Sequence, residues 1–121
     1  MTSLETALKL AEDGYFSRAL QTLDLSGTNS IAKTSVDVHR AVLLERIGLL
    51  GQSKALLLRL AKSKATPSER SICEFTRGRI EWEEGDRQAA LAHYKQAISA
   101  AQAAADLSKV LANDVSHHGL V

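Results

Sequence analysis

The sequence predicts an all-α fold made of antiparallel helical hairpins, and three observations carry that prediction. The 121 residues are 45% hydrophobic but only 4% aromatic, the alanine- and leucine-rich balance of a helical domain with a single core. Apolar residues recur at helical spacing along most of the chain. Helix start and stop signals then cut this periodicity into segments short enough to fold back on one another.

The first hairpin spans about residues 2–26. Thr2 and Glu5 have the spacing of a capping box, Leu4, Ala7, Leu8 and Ala11 share a face, and Asp13-Gly14 stops the helix. Phe16, Ala19, Leu20 and Leu23 give the second helix its apolar side, and the Ser26–Ser30 cluster favours a turn. Short at both ends, this hairpin reads as a terminal unit.

The second hairpin, about 31–64, carries Ile31, Val36, Val38, Ala41, Val42, Leu44 and Ile47 in its first helix. The turn is expected at Leu49-Leu50-Gly51. Leu56, Leu57, Leu58 and Leu60 follow in a helix apolar enough to require cover on both sides, as in a middle layer. Counting turn glycines, 85 − 51 = 34 and 51 − 14 = 37; counting alanines, 55 − 19 = 36 and 90 − 55 = 35, so one or two residues are inserted.

The third hairpin, about 67–104, has the clearest signals. Thr66 is an N-cap, Pro67 stands at the first helical position where its missing N–H costs nothing, and Glu69 completes a capping box. Gly85 suits the left-handed conformation that closes a helix, and Asp86 caps the next. Along that helix Ala90, Tyr94, Ala97 and Ile98 share one face with Leu91 beside them. After Ala105, Leu107, Val110, Leu111 and Val115 continue the periodicity. A terminal helix over about 105–116 is expected to cap the last hairpin; the same residues also suit the opening helix of a further one.

Gly78, Gly85, Ala90, Ala97 and Tyr94 together resemble the tetratricopeptide repeat, whose helix-turn-helix units of about 34 residues approach closely at small residues. Glu74 and Glu81 depart from its pattern, standing where large apolar residues are usual, with Trp82 one place on. The resemblance implies one domain over 1–121, a right-handed superhelix of about three hairpins closed by the C-terminal capping helix. It also implies a module that holds a peptide or helix of another protein on a concave face lined by the first helices. Carried over by position, the partner-facing residues are Ile72, Phe75, Arg79, Trp82 and Glu83 in the third hairpin and Asp37, Arg40, Leu44 and Ile47 in the second. Trp82 is balanced between a core and a groove position. Chaperone-tail binding by a lysine and asparagine clamp is not expected, because Asn29 and Asn113 lie outside the inner helices.

Charge and motifs narrow the function further. A net charge of +1 gives no global attraction to nucleic acid or anionic membranes. The 54–70 segment, with Lys54, Arg59, Lys62, Lys64 and Arg70, is basic and reads as a solvated helix face before a contact to an acidic partner or RNA. No stretch has the roughly 20 apolar residues of a membrane span, and the N-terminus lacks the pattern of a signal peptide. Cys73 is the only cysteine, so a reducing, cytoplasmic setting is expected. It reads as a packing cysteine even though a helix start can activate a thiol. Glu81, Glu83, Glu84 and Asp86 read as a solvated helix end, and His39, His93, His117 and His118 are scattered rather than set as metal ligands. No catalytic or cofactor motif is present. The expectation is therefore a non-enzymatic interaction module without cofactor or metal. A homo-oligomeric scaffold or a fragment of a larger regulatory repeat protein is the alternative, and an RNA-binding helical repeat comes after it.

Overall fold

The computed structural model describes residues 3–25 and 33–117, which form six helices and no strand. They are α1 (Ser3–Glu12), α2 (Phe16–Leu25), α3 (Lys33–Arg46), α4 (Leu50–Leu60), α5 (Pro67–Glu83) and α6 (Arg87–His117). The Thr2 cap, the turn cluster 26–30, Ile31 and His118 lie outside the described residues. No described helix is long and apolar enough to cross a membrane.

Consecutive helices pack in pairs, α1 on α2, α3 on α4 and α5 on α6, and α3 joins the pairs by contacting α2 and α5. Each pair closes through the same turn. Gly14, Gly48 and Gly85 have φ of 88°, 89° and 90°, a region that side chains beyond glycine adopt only with strain. The next residue's N–H then reaches back to a carbonyl in the last helical turn: Tyr15 to Leu10 at 2.8 Å, Leu49 to Leu44 at 2.9 Å, and Asp86 to Glu81 at 2.9 Å. This 6→1 bond satisfies a carbonyl that the helix end would otherwise orphan.

The middle turn corrects the sequence reading. Gly48, not Gly51, takes the left-handed conformation, and Gly51 lies inside α4. The glycine intervals become 48 − 14 = 34 and 85 − 48 = 37, which puts the additional residues between the second and third turns. Five residues after each turn stand Ala19, Ser53 and Ala90, all fully buried. The small side chain expected at Ala55 is therefore Ser53, whose hydroxyl donates 2.7 Å to the Ala41 carbonyl across the α3–α4 contact. A serine serves there because its one polar group finds an acceptor on the facing backbone.

Two apolar clusters make the core. Ala7, Ala19, Leu23, Val36 and Leu43 join α1, α2 and α3, and Val38, Ala41, Leu44, Leu56, Leu57, Leu60, Cys73 and Ile80 join α3, α4 and α5. The leucine-rich α4 is covered on one side only: Leu56, Leu57 and Leu60 are buried, whereas Leu58 is exposed.

The α5 start follows the local signals in full. Glu69 N–H donates 3.1 Å to Thr66 Oγ1 and Thr66 N–H donates 2.9 Å to Glu69 Oε1, with Pro67 at the first helical position. Asp86 accepts from Ala89 N–H at 3.1 Å and starts α6. That helix then runs without a break through Ala105, so the residues expected to form a separate capping helix continue α6 instead. No glycine or proline interrupts the helix between Arg87 and His117, and the alanines around 100–105 sustain it.

Candidate functional site

A groove between α3 and α5 is lined by Val42 and Arg46 on one side and by Ser71, Ile72, Phe75, Thr76 and Arg79 on the other. Its α5 wall contains three of the residues expected from the sequence. Ile72 is half-buried against the core, and Phe75 is 52% exposed and packs on Tyr94 with ring centroids 5.4 Å apart. Arg79 Nε stands 2.8 Å from Oε1 of Glu45, a carboxylate almost wholly buried in α3. The two are paired by charge but not aligned as a hydrogen bond, and that oxygen has no hydrogen-bond partner.

The α3 wall differs from expectation, and the turn explains why. Counted from Gly48, which stands 37 residues before Gly85, the places equivalent to Arg79, Trp82 and Glu83 are Val42, Glu45 and Arg46, whereas the expected Leu44 and Ile47 stand 35 residues before Arg79 and Trp82, the interval from Ala55 to Ala90. Leu44 is only 6% exposed and belongs to the core, so it is not a surface residue. Asp37 and Arg40 pair with each other, and Arg40 Nε also reaches Asp24 of α2 at 3.0 Å. Asp37 borders a hollow with Lys33, Leu56 and Arg59 rather than the groove. Ile47 is half-buried at the end of α3. The 34-residue interval from Gly14 to Gly48, with Ser53 as the small residue five places on, is the sequence signal that identifies Val42 and Arg46.

Trp82 and Glu83 sit at the far end of α5. Trp82 is 46% exposed, neither core nor groove floor, and the Arg87 guanidinium lies 5.0 Å above its ring. Glu83 is exposed. The departures at Glu74 and Glu81 are accommodated by polar partners or solvent. Glu74 is held 2.8 Å from His93 Nδ1 and 3.6 Å from Arg77, and Glu81 borders a shallow hollow with Lys54, Leu58 and Arg77.

On the other side of Val42 an apolar pocket opens between α1 and α3, lined by Ala7, Leu8, Ala11, Leu23, His39, Val42 and Leu43. Val42 borders both depressions, so one face runs across α1, α3 and α5. Burial holds the His39 imidazole below its ordinary pKa, with Glu69 pulling the other way. In the core behind α5, burial pushes the Cys73 thiol up to about 11, the carboxylates Glu74 and Glu69 adding to the rise against Arg70 and Arg77. A thiol so placed is protonated at neutral pH and does not act as a nucleophile.

The basic segment is divided by its contacts. Lys54 bonds Glu84 of the α5 end at 2.9 Å, and Arg70 donates 3.0 Å to the Ser63 carbonyl. Among the described residues no three His, Cys, Asp or Glu side chains converge as metal ligands. Comparison of the chain with protein-family models, with curated proteins and with solved structures gives no match.

Proposed function

We propose that the chain is a protein-interaction module of tetratricopeptide-like hairpins, arranged as a right-handed superhelix whose first helices line the concave side, and that it holds a segment of another protein across α1, α3 and α5. The observation that carries the reading is the groove itself: an apolar floor of Val42, Ile72 and Phe75 flanked by Arg46 and Arg79. Such a surface suits a peptide or helix with an apolar anchor and an acidic residue beside it. Arginine beside an aromatic ring is also the composition of binding hot spots. The recurring left-handed glycine and the small buried residue five places later support the repeat reading, since a unit of that kind stacks on its neighbours through the same positions.

The test is a pull-down with the full chain and mass spectrometry of what it captures, repeated with Arg46→Glu and Phe75→Ala. Both side chains are exposed, so the fold should persist while binding falls about tenfold or more, as hot-spot truncations do. Partners retained by both variants would remove the groove from the account. A capture that is lost on nuclease treatment and falls steeply with salt would favour RNA instead.

A further inference from the structure

The face that runs across α1, α3 and α5 holds two depressions side by side, the α1–α3 pocket and the α3–α5 groove, with Val42 bordering both. Their polarity differs. The charged residues lining the groove are two arginines, Arg46 and Arg79. The pocket lining has no charged residue, and its one titratable group is His39, which burial holds toward the neutral form.

Both arginines are placed to receive an acid. Arg46 is exposed and forms no ion pair with a described residue. Arg79 is fixed from one side by the buried Glu45 carboxylate, 2.8 Å from its Nε, and its terminal nitrogens bond no other described residue. Glu83, at the level of Arg46 on α5, is exposed and lies outside the groove lining. On α1, by contrast, exposed Glu12 follows one turn after Leu8 of the pocket. An acid over the pocket would meet no cation in its lining and would face that glutamate, so charge complementarity places the acid at the groove alone.

The lining has little to offer an extended chain, whose backbone N–H and C=O groups need partners. The Ser71 and Thr76 hydroxyls already donate to the Ala97 and Ile72 carbonyls, at 2.9 Å and 2.8 Å. No asparagine or glutamine lines either depression. A helix satisfies its own backbone and asks of a surface only apolar seats and matching charge. The spacing agrees. Packed neighbouring helices stand about 8–10 Å apart, so depressions on either side of α3 are separated by about that distance. Residues seven apart on a helix share a face and lie about 10.5 Å from each other.

We propose that the partner segment is an amphipathic helix lying across α3, with one apolar residue in the α1–α3 pocket, a second seven positions away in the α3–α5 groove, and an acidic residue within a turn of the second, against Arg46 and Arg79. This rests on the interaction-module reading and adds the partner's conformation, anchor spacing and polarity.

Selection from a phage-displayed library of random peptides of about 16 residues, long enough to form a helix when bound, tests it on the full chain. Enriched sequences should share two apolar residues seven apart with Asp or Glu beside one of them. A synthetic peptide of that sequence should gain helical circular dichroism on binding. Arg46→Glu should weaken it about tenfold or more, and exchanging the peptide's acid for Lys should restore affinity for that variant, a reversal that altered folding does not produce. Leu8→Glu, at a pocket residue outside the core cluster, should weaken the same peptide, and replacing the anchor remote from the acid by Ala should abolish that sensitivity. Binders sensitive to Arg46→Glu but with apolar residues at alternate positions and no helical signal would overturn this inference and leave the groove reading standing. Binders indifferent to both Arg46→Glu and Phe75→Ala would remove the groove and the inference with it. A selection that enriches nothing would overturn the inference as well.

Discussion

Gly78 of α5 lies directly against the Tyr94 ring of α6: a Cβ on Gly78 would stand 2.5 Å from Tyr94 Cε1 and 2.6 Å from Cδ1. The glycine is what lets the aromatic ring lie over the facing backbone and pack on Phe75 at the same time. Gly78→Ala therefore displaces the ring. Alanine gains up to about 1 kcal/mol in helix propensity, but overpacking costs about 1–3 kcal/mol. A lowered melting temperature is expected, partly restored by adding Tyr94→Leu. An unchanged melting curve for Gly78→Ala would show that the ring is not held there.

The turn at Gly48 makes its own prediction about α4. Ser53→Leu introduces a large side chain at a fully buried position facing Ala41 and also deletes the hydrogen bond to its carbonyl. The loss should be about 1–3 kcal/mol from overpacking alone. Ala90→Leu, at the matching buried place in α6, should behave alike. Ala55→Leu, on the exposed side of α4, should stay within about 0.5 kcal/mol of wild type. Denaturant melts of the three variants distinguish the Gly48 register from the Gly51 register.

Arg79 has a structural duty besides its place in the groove. It faces the buried Glu45 carboxylate at 2.8 Å, and removing it leaves that charge without compensation. Arg79→Ala leaves a buried carboxylate without its compensating charge, a loss of about 3–5 kcal/mol for a fully buried pair and less here, where the guanidinium is partly exposed. Adding Glu45→Gln should recover part of this, a coupling that a double-mutant cycle measures directly. Additive effects would mean the pair does not interact. Arg79 is for that reason a poor single probe of binding, and Arg46 is the better one.

His39 predicts a pH effect with a definite sign. Its folded pKa is held below the ordinary 6.5 by burial, so the unfolded chain binds the proton more readily. The stability this neutral imidazole contributes is present above the ordinary value and is lost as pH falls through the lower folded one. Stability should therefore decline from pH 7.5 into the region below 6.5 more steeply in wild type than in His39→Gln. Equal slopes for the two proteins would contradict the burial of the ring.

What could be read from the sequence alone is what neighbouring residues decide among themselves. The all-α class, the α5 start at Thr66, Pro67 and Glu69, the Gly85 turn and the Asp86 cap depend on side chains within a few residues of the backbone groups they satisfy. The α5 half of the groove, Ile72, Phe75 and Arg79, followed from that secure turn. The α3 half required the tertiary structure. Gly48 and Gly51 stand three residues apart among leucines and isoleucine, so local propensity permits a turn at either. Gly48 is selected because a turn there brings Ser53 against the Ala41 carbonyl and buries Leu56, Leu57 and Leu60 together, a condition set by distant residues. The same reason hid Glu45, a charged residue inside the fold that pairs with an arginine 34 positions later in the chain, and it hid the exposure of Ile98 and Leu111, which depends on where neighbouring helices end rather than on the apolar spacing of α6.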